Sequence, residues 1–323
     1  MTNFQTTSPS DSDPIDSLNM TVPSFDLLDG TKIPWIAWGN GTGQAQKQAL
    51  RCGELALASG IHHIDTAQLY KTERETIEAI KKSDLNRDQV YITSKLSAGD
   101  NDDPVPISEV VQSVKESIER LGTIPDLFLV HNPFVVPPGQ LKALWKILED
   151  LKAAGELKSI GVSNFRPQDL EEILDGARYK PVVNQLEYHP YTLVHLQPVL
   201  DIQAKHGIVT ESYGSLTPIL RYPTGGPLKP VLERIAARIS KATGKNLDTT
   251  VVLLLWIRVQ GVVAVTASGN PDRIKSLGEI ATLPDLLERN EIEELTNVGK
   301  TVHFRFYTEH MEKDFPLPNL PNE

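Results

Sequence analysis

Cysteine is almost absent: Cys52 stands alone in 323 residues. That excludes an intramolecular disulfide and any site of clustered thiolates, and a reducing, cytoplasmic setting is expected. Long apolar runs are missing too. The richest, 251–257, falls well short of the roughly 20 residues needed to span a bilayer. Basic residues are the minority: 32 Lys and Arg stand against 42 Asp and Glu, a formal net charge of −10. Nucleic acid and anionic membrane are therefore poor partners, and an anionic ligand must find a local cation. No Gly-x-Gly-x-x-Gly opens a helix after a strand, no His-Glu-x-x-His occurs, and no serine or cysteine sits in an obvious nucleophile elbow. The neighbours His62 and His63 would point to opposite faces of a strand, so a shared metal is not expected there.

What is present is regular alternation. Residues 1–20 are rich in Ser, Thr, Asp and Asn and lack the basic start and apolar run of a signal peptide, so they read as a disordered tail. The remainder, 21–323, reads as a single domain with 40% hydrophobic residues in the chain to build its core. Short β-branched runs at 35–39, 62–67, 90–96, 127–132, 159–164, 182–187, 208–213 and 262–267 alternate with helical patterns such as 107–121, 140–154 and 228–242. Eight strands with helical crossovers point to a (β/α)8 TIM barrel, though an open doubly wound sheet shares that local grammar. Before them, 25–28 and 32–33 flank Asp29-Gly30, a type I′ hairpin signal placed to close the barrel floor. The Pro- and Gly-rich stretch 217–230 reads as a long loop beside the barrel mouth, and 304–323 as a tail wrapping the barrel.

In a barrel, reactive groups come from the carboxyl ends of different strands. Asp65 closes the second strand and Tyr70 lies five residues on, Lys95 ends the third, and His131 ends the fourth. Each has an ordinary explanation alone: a cap, a snorkelling amine, a packed ring, a satisfied imidazole. Together they form a proton-transfer set. Hydride addition to a carbonyl leaves an alkoxide that must be protonated, and a phenol does this well if its pKa falls below about 10. Lys95 is expected to lower that of Tyr70, Asp65 to hold Lys95 charged, and His131 to orient the carbonyl. A Schiff-base aldolase using Lys95 remains a rival, as does a non-catalytic nucleotide-binding partner subunit.

The segments His63-Ile-Asp65-Thr-Ala-Gln-Leu-Tyr70, Ile92-Thr-Ser-Lys95-Leu96 and Leu129-Val-His131 resemble blocks of the aldo-keto reductase superfamily, and the likeness runs from about residue 24 to 318. Within it, the pattern is most similar to fungal members that reduce α-keto amides and conjugated polyketones. The resemblance implies NADPH as cofactor and a small-molecule carbonyl as partner. It also assigns the nicotinamide amide to Ser163, Asn164 and Gln185, stacking on that ring to Tyr213, further cofactor contacts to Ser215 and Leu216, and the 2′-phosphate to Ser268, Asn270 and Arg273. Asn270 and Pro271 have the form of an N-cap and first helical residue, which would aim backbone N–H groups at a phosphate. Ala267 stands where many NADP-preferring members carry Lys, so NADH is expected as a weaker alternative. Trp38, Ser97 and Asn132 are expected to line the substrate pocket. The last two replace bulky indoles found in aldehyde-specialised members, which implies bulky polar ketones such as keto lactones, keto esters or diketones. Nothing in the sequence requires more than a monomer or weak dimer.

Overall fold

A computed structural model describes residues 22–99, 103–222 and 224–322. The tail expected at 1–20 lies outside those residues. The chain enters through a hairpin, β1 (Ser24–Asp26) and β2 (Lys32–Pro34), with Phe25 opposite Ile33. Its turn is not type I′. Gly30 N–H donates to the Leu27 carbonyl at 3.0 Å, and among the turn residues a positive φ falls on Gly30 alone (84°), so Leu28 and Asp29 are the central pair and Gly30 supplies the left-handed step after them. Asp29 is then free to fasten the hairpin to the barrel. It accepts from Ser159 Oγ at 2.8 Å and Lys152 Nζ at 3.1 Å.

All eight expected barrel strands form, each trimmed by one to three residues: β3 (Ile36–Gly39), β4 (His63–Asp65), β5 (Tyr91–Leu96), β6 (Leu127–Val130), β7 (Ser159–Ser163), β8 (Val183–Glu187), β9 (Val209–Tyr213) and β10 (Val263–Thr266). They are parallel and close into a barrel through β10 against β3, which removes the open-sheet alternative. Period-two alternation sorts their side chains. Outward residues such as Ile64, Ile92, Phe128 and Val130 pack in one large cluster with the helices. Inward Leu127, Leu129, Val183 and Val263 join Leu27 and Ile33 of the hairpin in a second cluster at the floor. Each such aliphatic chain, fully buried, contributes roughly 1.5–3 kcal/mol. With the floor apolar, the polar inward residues are left to the upper layers.

The helices at 107–121, 140–154 and 228–242 appear as Val110–Leu121, preceded by a 3-10 turn, Leu141–Ala153 and Leu228–Thr243. The stretch 217–230 is more ordered than its composition indicates. It holds a one-turn helix, Thr217–Leu220, and the start of Leu228–Thr243, whose Pro230 sits in a first turn where no backbone donor is needed. After β10, Asn270 caps the helix Pro271–Ala281 by accepting from Arg273 N–H at 3.0 Å. The C-terminal segment crosses the upper face. His303 N–H reaches the Pro321 carbonyl at 2.8 Å, and Phe306 and Tyr307 N–H groups donate to the Glu187 carboxylate at the end of β8. No helix among the described residues is long and apolar enough to cross a membrane.

Candidate active site

Three strand ends and one short turn assemble the polar centre. Asp65 is the last residue of β4, and Lys95 points inward from β5, fully buried, with Nζ 2.6 Å from Asp65 Oδ1 and 3.0 Å from the Thr66 carbonyl. Tyr70 ends a 3-10 turn, Gln68–Tyr70, that reverses at Lys71 (φ 58°) and is tied back by Gln46 Nε2 to the Tyr70 carbonyl at 3.0 Å. His131 follows β6 directly, its N–H bonded to the Leu96 carbonyl at 3.0 Å. The phenol oxygen lies 3.4 Å from His131 Nε2, and Lys95 Nζ sits 5.0 Å from the centre of the Tyr70 ring. The structure therefore brings together all four residues singled out in the sequence.

Their protonation follows from burial and neighbours. Burial, the largest influence, would lower the Lys95 pKa, but Asp65, Tyr70 and Glu211 together more than reverse this, and the amine stays an ammonium. Burial pushes the Tyr70 pKa up. The nearby Lys95 charge and hydrogen bond pull it down, and Asp65 pushes it up again. The net direction is upward, which corrects the expectation of a phenol acidified by Lys95: desolvation of the phenolate outweighs the ammonium. The hydroxyl accordingly keeps its proton at neutral pH. Burial, then Lys95 and His310, hold the His131 pKa well below its usual value, so the imidazole is neutral. Ser97 Oγ lies 2.8 Å from His131 Nδ1 and accepts from Leu69 N–H at 3.3 Å. Its own proton finds its acceptor in Nδ1, so the network assigns the ring's N–H to Nε2, facing the phenol.

Above this centre opens a cavity of about 410 Å³. Asp65, Tyr70 and His131 line it, as do Ser163, Asn164, Gln185, Tyr213, Ser215 and Leu216. Lys95 lies beneath the lining. The expected pocket residues do not reach the cavity. Trp38 is fully buried with Nε1 on the Ser268 carbonyl at 3.0 Å, Ser97 stands behind His131, and Asn132 turns its Oδ1 to Phe134 N–H at 2.8 Å. Asn132 is turned by a backbone partner two residues on, whereas Trp38 and Ser97 are held by partners from distant parts of the chain, Ser268 for the first and Leu69 and His131 for the second. Leu69, Leu220, Arg221 and Tyr307 form the wall instead, and sequence reading missed them because loops and the C-terminal segment deliver them.

The cavity suits a flat ring bearing an amide. Gln185 Nε2 is committed to Asp65 Oδ2 and Glu211 Oε2, both at 2.9 Å, which leaves Oε1 without a hydrogen-bond partner among the described residues. The Tyr213 ring is held at the cavity by its hydroxyl on Asn164 Oδ1 at 2.7 Å, and Asn164, in a left-handed conformation (φ 60°), donates from Nδ2 to the His131 carbonyl at 3.0 Å. Ser268, Asn270 and Arg273 lie at the adjoining loop and helix start rather than in the cavity wall. Ser268 Oγ accepts from Asn270 N–H at 3.2 Å, and the exposed Arg273 guanidinium pairs with no carboxylate among the described residues. A cation at a helix N-terminus fits a phosphate. Glu211, fully buried on the inward face of β9, was also missed. Counting two residues back from Tyr213 would have found it.

Comparison with known proteins places the chain in a family. The family model described as Aldo/keto reductase family matches residues 35–295. An NAD/NADP-dependent indole-3-acetaldehyde reductase of Schizosaccharomyces pombe is 33% identical over 294 residues, 88% of this chain and 98% of its own. An NADPH-dependent alpha-keto amide reductase of Saccharomyces cerevisiae is 29% identical, covering 85% and 90%. The crystal structure of an aldo/keto reductase from Brucella melitensis superposes with a TM-score of 0.72 at 29% identity, covering 86% of this chain and all of that one. The chain belongs to the aldo/keto reductase family and is an oxidoreductase on a (β/α)8 barrel.

Proposed function

We propose that the protein reduces aldehydes or ketones to alcohols with NADPH, and that Tyr70 donates the proton. The contact that carries the reading is the Tyr70 hydroxyl 3.4 Å from His131 Nε2, with the Lys95–Asp65 pair behind the ring. When bound, NADPH supplies the hydride. A carbonyl oxygen placed between the phenol and Nε2 accepts a hydrogen bond from each, which orients it and stabilises the charge that develops there. The Tyr70 proton then passes to the oxygen. Lys95, held charged by Asp65, offsets the phenolate left behind; burial makes that anion costly without it.

Support for NADPH comes from the relatives named above and from the exposed Arg273 beside the capped helix. Ala267 leaves room for NADH as the weaker cofactor, since a second cation would add a charge-assisted contact of about 1.5–3 kcal/mol. A preference for bulky polar ketones now rests on different residues. Gly41 faces the cavity beside Tyr70, and Arg221 supplies a charged group at an otherwise apolar wall of Leu69, Leu220 and Tyr307. The aldolase reading loses ground because Lys95 is buried, paired and protonated, whereas a Schiff base needs a free amine.

The test is a panel of aldehydes and ketones with NADPH deuterated at the transferred position. Deuterium on the product's carbinol carbon is expected. Failure of every carbonyl compound to consume cofactor would refute the reading, and a borohydride-trapped adduct on Lys95 would favour the aldolase.

A further inference from the structure

Glu211 has no part in the chemistry above, yet it lies directly beneath it. On β9 the inward face runs Val209, Glu211, Tyr213, so the carboxyl sits between the apolar floor and the residue that walls the cavity. The charged and titratable groups facing it come from two strands: His63 and Asp65 on β4, and Tyr91 and Lys95 on β5. From β8, Gln185 spans the two acids through one nitrogen, 2.9 Å from Glu211 Oε2 and 2.9 Å from Asp65 Oδ2. Among the described residues Glu211 Oε1 has no hydrogen-bond partner; it lies 3.9 Å from His63 Nε2, which is itself 2.9 Å from Thr93 Oγ1.

Charge balance decides which of these groups is ionised. Burial pulls the His63 pKa down to about 4, so its ring is neutral. One ammonium, Lys95, then faces two carboxyls, and it pairs directly with Asp65. An ionised Glu211 would leave a buried anionic oxygen with neither a hydrogen bond nor a cation of its own, a costly arrangement in a protein interior. Burial, and then the Asp65 charge, push its pKa up to about 8, against the weaker pull of Gln185 and Lys95.

We propose that Glu211 is a positioning residue for the reduction: in its protonated form it holds the Gln185 amide with Oε1 toward the cavity and leaves Lys95 balanced by Asp65 alone. This rests on the reading of Tyr70 as proton donor. As Glu211 ionises, a second negative charge below Lys95 offsets the ammonium's pull on the phenol. Tyr70 becomes a poorer acid and reduction slows. Glu211→Gln copies the shape of the neutral acid and cannot ionise.

Two measurements test this. The first is the pH profile of kcat/KM for reduction at saturating NADPH, each enzyme scaled to its own plateau. The wild type is expected to fall along an alkaline limb near pH 8, and Glu211→Gln to lose that limb or shift it upward by a pH unit or more. A limb at the same pH in both enzymes overturns the proposal, because it would belong to another group. The second needs no turnover. Infrared spectra of the wild type should contain the carbonyl stretch of a protonated buried acid at neutral pH, lost across the same limb and absent from Glu211→Gln. Absence of that band at neutral pH overturns the proposal even in an active reductase. An inert enzyme that keeps the band refutes the reductase reading instead. Should Glu211→Gln fail to fold, the wild-type band and limb must still titrate together, and a mismatch overturns the proposal.

Discussion

Gly41 offers a clean way to move the proton donor without touching it. A Cβ at this position would lie 2.6, 2.7 and 2.9 Å from three carbons of the Tyr70 ring. That is about 1 Å inside ordinary carbon–carbon contact. In Gly41→Ala the ring, at the end of its side chain, gives way before the backbone does, so the fold is kept and the phenol shifts. A displacement of that size disturbs the hydroxyl's 3.4 Å contact with His131 Nε2 and the ring's placement beside Lys95. Misplacement of a reacting group by about 1 Å costs on the order of 100-fold in rate. Steady-state kinetics with a small aldehyde, chosen so that the added methyl does not block entry, should give kcat reduced by about that factor with an unchanged thermal midpoint. A variant with wild-type kcat would refute the argument that the phenol's position is set by the bare backbone at Gly41.

The same geometry makes three further predictions. Ser97→Ala removes the hydroxyl 2.8 Å from His131 Nδ1 and should lower kcat/KM by about 1 kcal/mol, roughly fivefold; an unchanged value would mean the tautomer is set elsewhere. Ala267→Lys should tighten NADPH relative to NADH by about tenfold or more in fluorescence titrations, and equal tightening of both would misplace the phosphate. His63, His195 and His303 are each held down to about pKa 4, chiefly by burial. The unfolded chain, with imidazoles near 6.5, binds the extra protons first, so stability should fall as pH drops from about 6.5 to about 4, at up to about 1.4 kcal/mol per pH unit per imidazole. Urea midpoints that stay flat across that interval would contradict the burial argument.

The sequence makes the strands legible because a parallel barrel demands β-branched runs at every pass, and residues such as Ile64, Ile92 and Val130 answer that demand on the outer face. Asp65, Lys95 and His131 are legible for a related reason: a polar residue closing an apolar strand in a barrel has one rim to occupy. Beyond the strand ends the local pattern carries less. Ser97 and Asn132 follow their strands by one or two residues, and the backbone partners that turn them from the cavity exist only once the neighbouring loops are in place. Arg221 and Tyr307 reach the wall from distant parts of the chain. The upward shift of Tyr70 is a balance between burial and Lys95, and neither is local to the tyrosine in sequence. The turn at Asp29-Gly30 differs because its register depends on where β1 and β2 stop pairing, which a dipeptide does not encode.

The central claim is that Tyr70 gives its proton to the reduced carbonyl, and Tyr70→Phe tests it by removing one oxygen and keeping the ring. Single-turnover oxidation of bound NADPH by an aldehyde should slow by a factor of about 100 or more while the NADPH dissociation constant stays at the wild-type value. Wild-type turnover by Tyr70→Phe, or lost turnover explained wholly by lost cofactor binding, would contradict the account.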